Sequence, residues 1–331
     1  MKKHLLVMCS LLFTFCLPAQ SIKLFGNKEK ASFRGLSVVD NKVIWVSGSG
    51  GRVGKSLDGG LTWKWITIKG YKNCEFRDIE GFDGNTAIVM AVAEPAYILK
   101  TSDGGKNWQK VYENKNKGMF LDAMEFENEK NGWVIGDPMD GRFFIAKTND
   151  AGNSWQEVPP ADCPTADSAE ACFASSGTNI RLMKSGHFLF VTGGASSHLV
   201  IGKGKIKLPL NQGLSSTGAN SVAVKDSLTY MVVGGDFTRE EEAKGNCAFT
   251  SDGGRTWNIP NRPPNGYRSC VEYIGGDTWI CCGLTGADIS KDNGITWTSL
   301  SKNSFHACKK AKNGTTVFFS GNGGKVGKLA E

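Results

Sequence analysis

Four cationic side chains share one register in this sequence. Arg34, Arg77, Arg268 and His306 stand eleven residues before Trp45, Ile88, Trp279 and Val317, and follow Phe33, Phe76, Tyr267 and Phe305. Arginine offers planar forks of donors that suit a carboxylate or a phosphate. The chemistry expected of these four residues is therefore binding of an anion, or of an acidic segment of a partner. A plainer alternative is that each arginine pairs with a carbonyl or an acid such as Asp78 and only orders its own loop. Arg181 falls four places out of this register. A second candidate set is acidic: Glu94, Asp137, Asp140 and Asp236, with His198 nearby in the pattern. Two facing carboxylates can hydrolyse a glycosidic bond, so a glycoside hydrolase using Glu94, Asp137 and Asp236 is the alternative reading. No catalytic residue is assigned. The histidines (4, 187, 198 and 306) show no ligand spacing, so neither a metal site nor a cofactor is expected.

The elements that must carry these residues are set by a repeated phrase. Ser/Thr-x-Asp-x-Gly-x-x-Trp occurs at Ser56–Trp63, Thr101–Trp108, Thr148–Trp155, Thr250–Trp257 and Ser290–Trp297. Asp and Gly make a tight turn, the carboxylate accepting nearby N–H groups while Gly takes the positive φ. Trp then opens the next strand and packs against a neighbouring unit. The aspartates at 58, 103, 150, 252 and 292 are spaced by 45, 47, 102 and 40 residues. The long step conceals one unit whose phrase has eroded. A period of this length signals a ring or array. The expected fold is all-β: a seven-bladed β-propeller with one small sheet per unit, in a single domain over residues 20–331.

The last unit lacks a fourth strand, and Ser21–Phe25 belongs to no unit. Ile22-Lys23-Leu24 reads like Ile206-Lys207-Leu208, so the N-terminal strand is expected to complete the last blade and remove an open edge. Two insertions, Pro159–Ser176 and Asp236–Cys247, are expected on the face opposite the repeated turns. Insertions gathered on one face mark a functional face.

Composition narrows the setting. Residues 1–19 combine Lys2 and Lys3, an apolar run and Pro18-Ala19, the pattern of a signal peptide cut after Ala19. Export to the periplasm or the cell exterior is expected, and no other stretch is apolar and long enough to span a bilayer. The formal net charge of +7 comes with no Lys/Arg run, so nucleic acid is not indicated. Of ten cysteines, those other than Cys9 and Cys16 lie in the exported part, which fits disulfides. Cys163–Cys172 is the first expected pair.

The Asp-Gly phrase resembles the Asp-box, or bacterial neuraminidase repeat. Together, F-R-G-L-S-V-V-D, I-W-V-S-G-S-G-G and S-L-D-G-G-L-T-W in the first unit resemble the photosystem II stability/assembly factor family of seven-bladed propellers. The likeness covers the mature chain and is weakest in the fourth unit. It implies a non-catalytic propeller that binds a protein through an arginine-bearing face, with Arg34, Arg77 and Arg268 matching the aromatic-Arg motif. His306 and Leu121 replace Arg in their units. The photosystem partner itself does not transfer with the fold. A more distant resemblance is to sialidases, whose Phe-Arg-Ile-Pro signature is half present as Phe33-Arg34-Gly35-Leu36. Tyr273 beside Glu272 is a poor nucleophile pair, because adjacent strand residues point to opposite faces.

Overall fold

The computed structural model describes residues 20–26, 28–183 and 188–330. The expected signal peptide at 1–19 and His187 lie outside the described residues. Among the described residues the chain forms seven antiparallel sheets.

Blade one is the sequential meander Phe33–Val38, Ile44–Gly48, Arg52–Ser56 and Lys64–Thr67. Blade two runs Phe76–Gly81, Ala87–Ala91, Ala96–Thr101 and Gln109–Asn114. Blade three begins at Leu121–Phe126, blade four at Ile180–Leu182, blade five at Thr217–Val224, blade six at Cys270–Gly275 and blade seven at Ala307–Lys310. The strand Ser21–Phe25 pairs with Val326–Ala330, antiparallel, as the outer strand of blade seven. One departure from the plain meander involves the first insertion. Glu170–Ala171 pairs with Gly193–Gly194, which in turn pairs with Gly218, so both short strands join the sheet of blade five.

The hydrophobic core is a set of clusters, each wedged between neighbouring blades. Trp45, Val53, Ile79 and Val89 fill the space between blades one and two; Ile88, Met90, Met124 and Val134 fill that between two and three. The largest cluster crosses the seam of the ring, joining Ile280 of blade six, Phe305 and Phe319 of blade seven, and Phe33 and Leu36 of blade one. This is the economy of a propeller: no blade buries both faces alone, and each supplies half of two interfaces.

The five Asp-Gly turns share one hydrogen-bond scheme. In the first, Ser56 Oγ reaches the Asp58 carboxylate at 2.8 Å and accepts the Gly60 N–H at 2.9 Å, while Asp58 accepts the Thr62 N–H at 2.9 Å. The same contacts recur around Asp103, Asp150, Asp252 and Asp292. Two copies place a side chain where glycine is easiest: Ala151 and Asn293 have φ of 64° and 55°. Ala has no polar side chain to compensate for that left-handed backbone.

The cysteines correct an expectation. All eight described cysteines are free thiols, Cys163 and Cys172 included. Cys163 instead sends its thiol toward the Val158 carbonyl, and both sulfurs serve as buried apolar filling between blades three and four.

Candidate functional site

The first strands of the blades do not run evenly. In blade one Phe33 faces Gly48 and Gly35 faces Ser47, which leaves Arg34 as an unpaired extra residue, a β-bulge. Arg77 is the same residue in blade two, between Phe76 and Asp78. Asp122 occupies the bulge of blade three and Asn220 that of blade five. Bulges re-aim one side chain out of the pleat and recur beside binding sites. Here they turn one residue in each of these four blades toward the mouth of the ring.

That register corrects two calls. Blade three presents Asp122, not Leu121, as the counterpart of the arginines; Leu121 is the counterpart of Phe33. In blade six Tyr273 pairs with Trp279 as Val38 pairs with Ile44, so Trp279 is the counterpart of Ile44 and not of Trp45, and counting back eleven from it lands one residue early. Ser269, adjacent to Cys270 and bonded through its N–H to the Cys282 carbonyl, takes the mouth position. Arg268 takes the inner, apolar one. It is 1% exposed and held by Asp288 at 2.8 Å from its Nε, by the Tyr267 carbonyl at 2.8 Å and by Thr285 Oγ1 at 2.8 Å. Arg268 is a structural residue with its donors already engaged. Arg181 is likewise committed elsewhere, lying 3.7 Å from Glu125 and 3.5 Å from Glu272.

The other three predicted residues do meet. Arg34, Arg77 and His306 line one cavity of about 400 Å³ together with Asp137, Phe120, Tyr267 and Ser269. The first insertion contributes Ala171 to Ser175 to its wall, and the second contributes Phe237. Phe173 and Phe237 meet edge to face at 5.9 Å, and Phe237 meets Tyr267 at 6.3 Å. Both insertions thus wall the same mouth.

Its electrostatics are uneven. Arg34 donates to the Ser175 carbonyl at 3.3 Å, and burial together with neighbouring Arg77 holds its pKa below the usual value. Arg77 lies over the Phe120 ring at 5.9 Å, with Glu75 3.7 Å from its Nε, and that nitrogen makes no hydrogen bond among the described residues. His306 Nε2 shares a 3.0 Å hydrogen bond with Ser32 Oγ, and its Nδ1 has no partner among the described residues. Burial, then the charges of Arg34 and Arg77, push the imidazole pKa down to about 3, so it is neutral near pH 7. Two acids sit beside the arginines. Burial raises Asp137 to about 6 against the hydrogen bond it accepts from the Cys172 N–H. Burial and the proximity of Asp137 raise Asp122 well above the carboxylate range, and its oxygens make no hydrogen bond of good geometry. Arg34 and Arg77 therefore face an incoming group with neutral His306 beside them, Asp122 held protonated, and Glu75 and Asp137 as the neighbouring acids. Such a cavity can accept a carboxylate end-on and pack an apolar side chain on Phe120, Phe173 and Phe237.

The acids proposed for glycoside hydrolysis are not assembled there. Asp137 lines the cavity, but Glu94 lines a separate groove with Tyr71 and Tyr97 and accepts the Gly118 N–H. Asp236 caps its own loop through the Thr238 N–H at 2.9 Å and its hydroxyl at 2.7 Å. His198 is bound to buried Glu170 at 2.8 Å, part of the clamp that also takes Thr192 and Lys205 and fastens the first insertion. The sequence offered no sign of Asp122 as a site residue; its only signal was the position after Leu121, hidden by the absent arginine.

Comparison with known proteins agrees with the propeller fold. Residues 65–164, spanning parts of blades one to three, match the family described as Photosynthesis system II assembly factor YCF48. No curated protein matches the chain. Among solved structures, YCF48 bound to D1 peptide aligns with a TM-score of 0.68 at 17% identity, covering 95% of this chain and 96% of that one. YCF48 from Cyanidioschyzon merolae gives 0.68 at 16% identity, covering 93% and 98%. The Pan2 WD40 domain of Neurospora crassa gives 0.61 at 11%, covering 90% and 89%, a likeness of fold alone. The chain is thus a seven-bladed propeller, similar in sequence over residues 65–164 to the photosystem II assembly factor family and in fold over nearly its whole length to the YCF48 structures.

Proposed function

We propose that the protein is an exported, non-catalytic binding scaffold of the periplasm or cell exterior, gripping an acidic segment or terminus of a partner protein at the mouth of the ring. The observation that carries this reading is the convergence of Arg34, Arg77 and His306 on one cavity walled by both insertions. Arg77 and His306 each keep a ring or guanidinium nitrogen unspent, and unspent buried donors and acceptors favour a ligand that supplies their partners. The structural likeness to a YCF48 solved with a D1 peptide supports a peptide as the ligand class. The partner here is a different protein wherever photosynthesis is absent. Nucleic acid and an integral membrane segment have no part in this reading.

Crosslinking and mass spectrometry on cells expressing the wild type and an Arg34→Ala/Arg77→Ala double variant test it. Partners crosslinked through the mouth of the wild type and lost from the double variant support the scaffold. An identical set of partners in both would end this proposal.

A further inference from the structure

We infer that Cys270, Cys282 and Cys308 form a binding site for one soft thiophilic cation of the Cu(I) class. Cys270 and Cys282 are direct cross-strand partners on the first two strands of blade six, and Cys308 comes from the first strand of blade seven. Their sulfurs all lie within 4.8 Å of one another, and those of Cys270 and Cys308 are 3.7 Å apart. A disulfide would need about 2.05 Å. Three thiolates around a shared ion, each about 2.3 Å from it, stand about 4 Å from each other in a plane. The observed spacing is that of sulfurs sharing an ion.

A second observation distinguishes these thiols from core filling. The Cys308 N–H at 3.3 Å, Thr178 Oγ1 at 3.6 Å and the Cys308 thiol at 3.7 Å converge on Cys270 Sγ, which as a thiol donates in turn to the Cys308 carbonyl at 3.2 Å. A sulfur with an N–H and a hydroxyl aimed at it is prepared to carry negative charge, the outer-shell support typical of a thiolate ligand. On binding, the metal–sulfur bonds form and the displaced thiol protons pass to solvent, with no change in oxidation state. Among the described residues no histidine or carboxylate joins the three sulfurs. That set falls short of the four ligands that close a structural zinc site, and it suits a low-coordinate soft ion. The residues come from strands far apart in sequence with no Cys-x-x-Cys motif, so no spacing announces the site. All three are fully buried, so the ion enters before the seam between blades six and seven closes.

The test is to unfold and refold the full chain without oxygen in the presence of Cu(I) held by a weak chelator. The site predicts about one Cu(I) retained per chain, with thiolate-to-copper charge-transfer absorption. Cys282→Ala and Cys308→Ala should each weaken retention at least tenfold, while Cys74→Ala should leave it unchanged. X-ray absorption on the copper-loaded wild type, which needs no variant to fold, should show three sulfur neighbours at about 2.3 Å. No retained copper, retention indifferent to Cys282→Ala and Cys308→Ala, or fewer than three sulfur neighbours would overturn the proposal. So would a disulfide joining two of the three in protein handled without oxygen.

Discussion

The repeated turns and the mouth of the ring are built from the same repeat and differ in almost every physical respect. At the turns the aspartates are half-buried, identical and held by local hydrogen bonds that drive their pKa values down, to about 2 at Asp103, Asp150 and Asp252. At the mouth one position in six of the seven blades carries Arg34, Arg77, Asp122, Asn220, Ser269 or His306, and burial drives the acids up and the imidazole down. Where the units agree they specify the fold; where they diverge at one register position they specify a ligand. Arg268 is the instructive exception. It carries the residue type of the mouth but, one residue out of register, belongs to the core.

The comparison breaks most sharply on the arginines. Arg268→Ala should destabilise the protein by about 3–5 kcal/mol, because it strands the Asp288 carboxylate in the interior. Arg34→Ala should cost less than about 1 kcal/mol and act on ligand binding instead. Denaturant unfolding of the two variants checks this, and equal losses would erase the distinction between a structural and a binding arginine. Removal of residues 20–26 should cost about 3 kcal/mol, since it uncovers Ile22 and Phe25, which pack on the seam cluster. A truncated chain that melts with the wild type would contradict closure of the ring by that strand.

The two regions should also titrate in opposite directions. The turn aspartates have folded pKa values below their unfolded ones, so their contribution is present above about pH 4 and is lost as pH falls toward 2. Asp137 has a folded pKa above its unfolded one, so its contribution is full below about pH 4 and is lost as pH rises through about 6. His306, lowered to about 3, favours the folded state above about pH 6.5 and costs stability as pH falls below that. Melting temperature against pH should therefore have a shallower acid slope in Asp103→Asn and a shallower slope between pH about 4 and 6 in Asp137→Asn. Exchange of those two effects would show that the assignment is reversed. The smallest effect lies at Ala151, where relief of the left-handed backbone in Ala151→Gly should stabilise by about 0.5–1 kcal/mol, read as a small rise in melting temperature.

The turns were legible because each is a local object: Ser56, Asp58 and Gly60 close their hydrogen bonds within five residues. Blade number followed from their spacing. The mouth was only half legible. Arg34, Arg77 and His306 could be aligned by counting, but Arg268 could not, because Trp279 stands one place earlier in its strand than Trp45 does. Asp122 was hidden because its neighbour Leu121 was read as the motif position. The insertion strand Glu170–Ala171 was opaque for a different reason: it crosses to the sheet of blade five, and long-range pairing leaves no local pattern. Cys163 and Cys172 show the same limit, since sequence proximity does not aim two sulfurs at each other.

The most direct test of the central claim is a binding titration at pH 7 with acidic peptides selected from the crosslinked partner, each with a free C-terminal carboxylate or a carboxamide. With Arg34 and Arg77 as the anion grip, the carboxylate form should bind the wild type at least about tenfold more tightly than the amide, and each arginine-to-alanine change should remove most of that preference. Equal affinity for both forms, or a carboxylate preference intact in the Arg34→Ala/Arg77→Ala double variant, would contradict it.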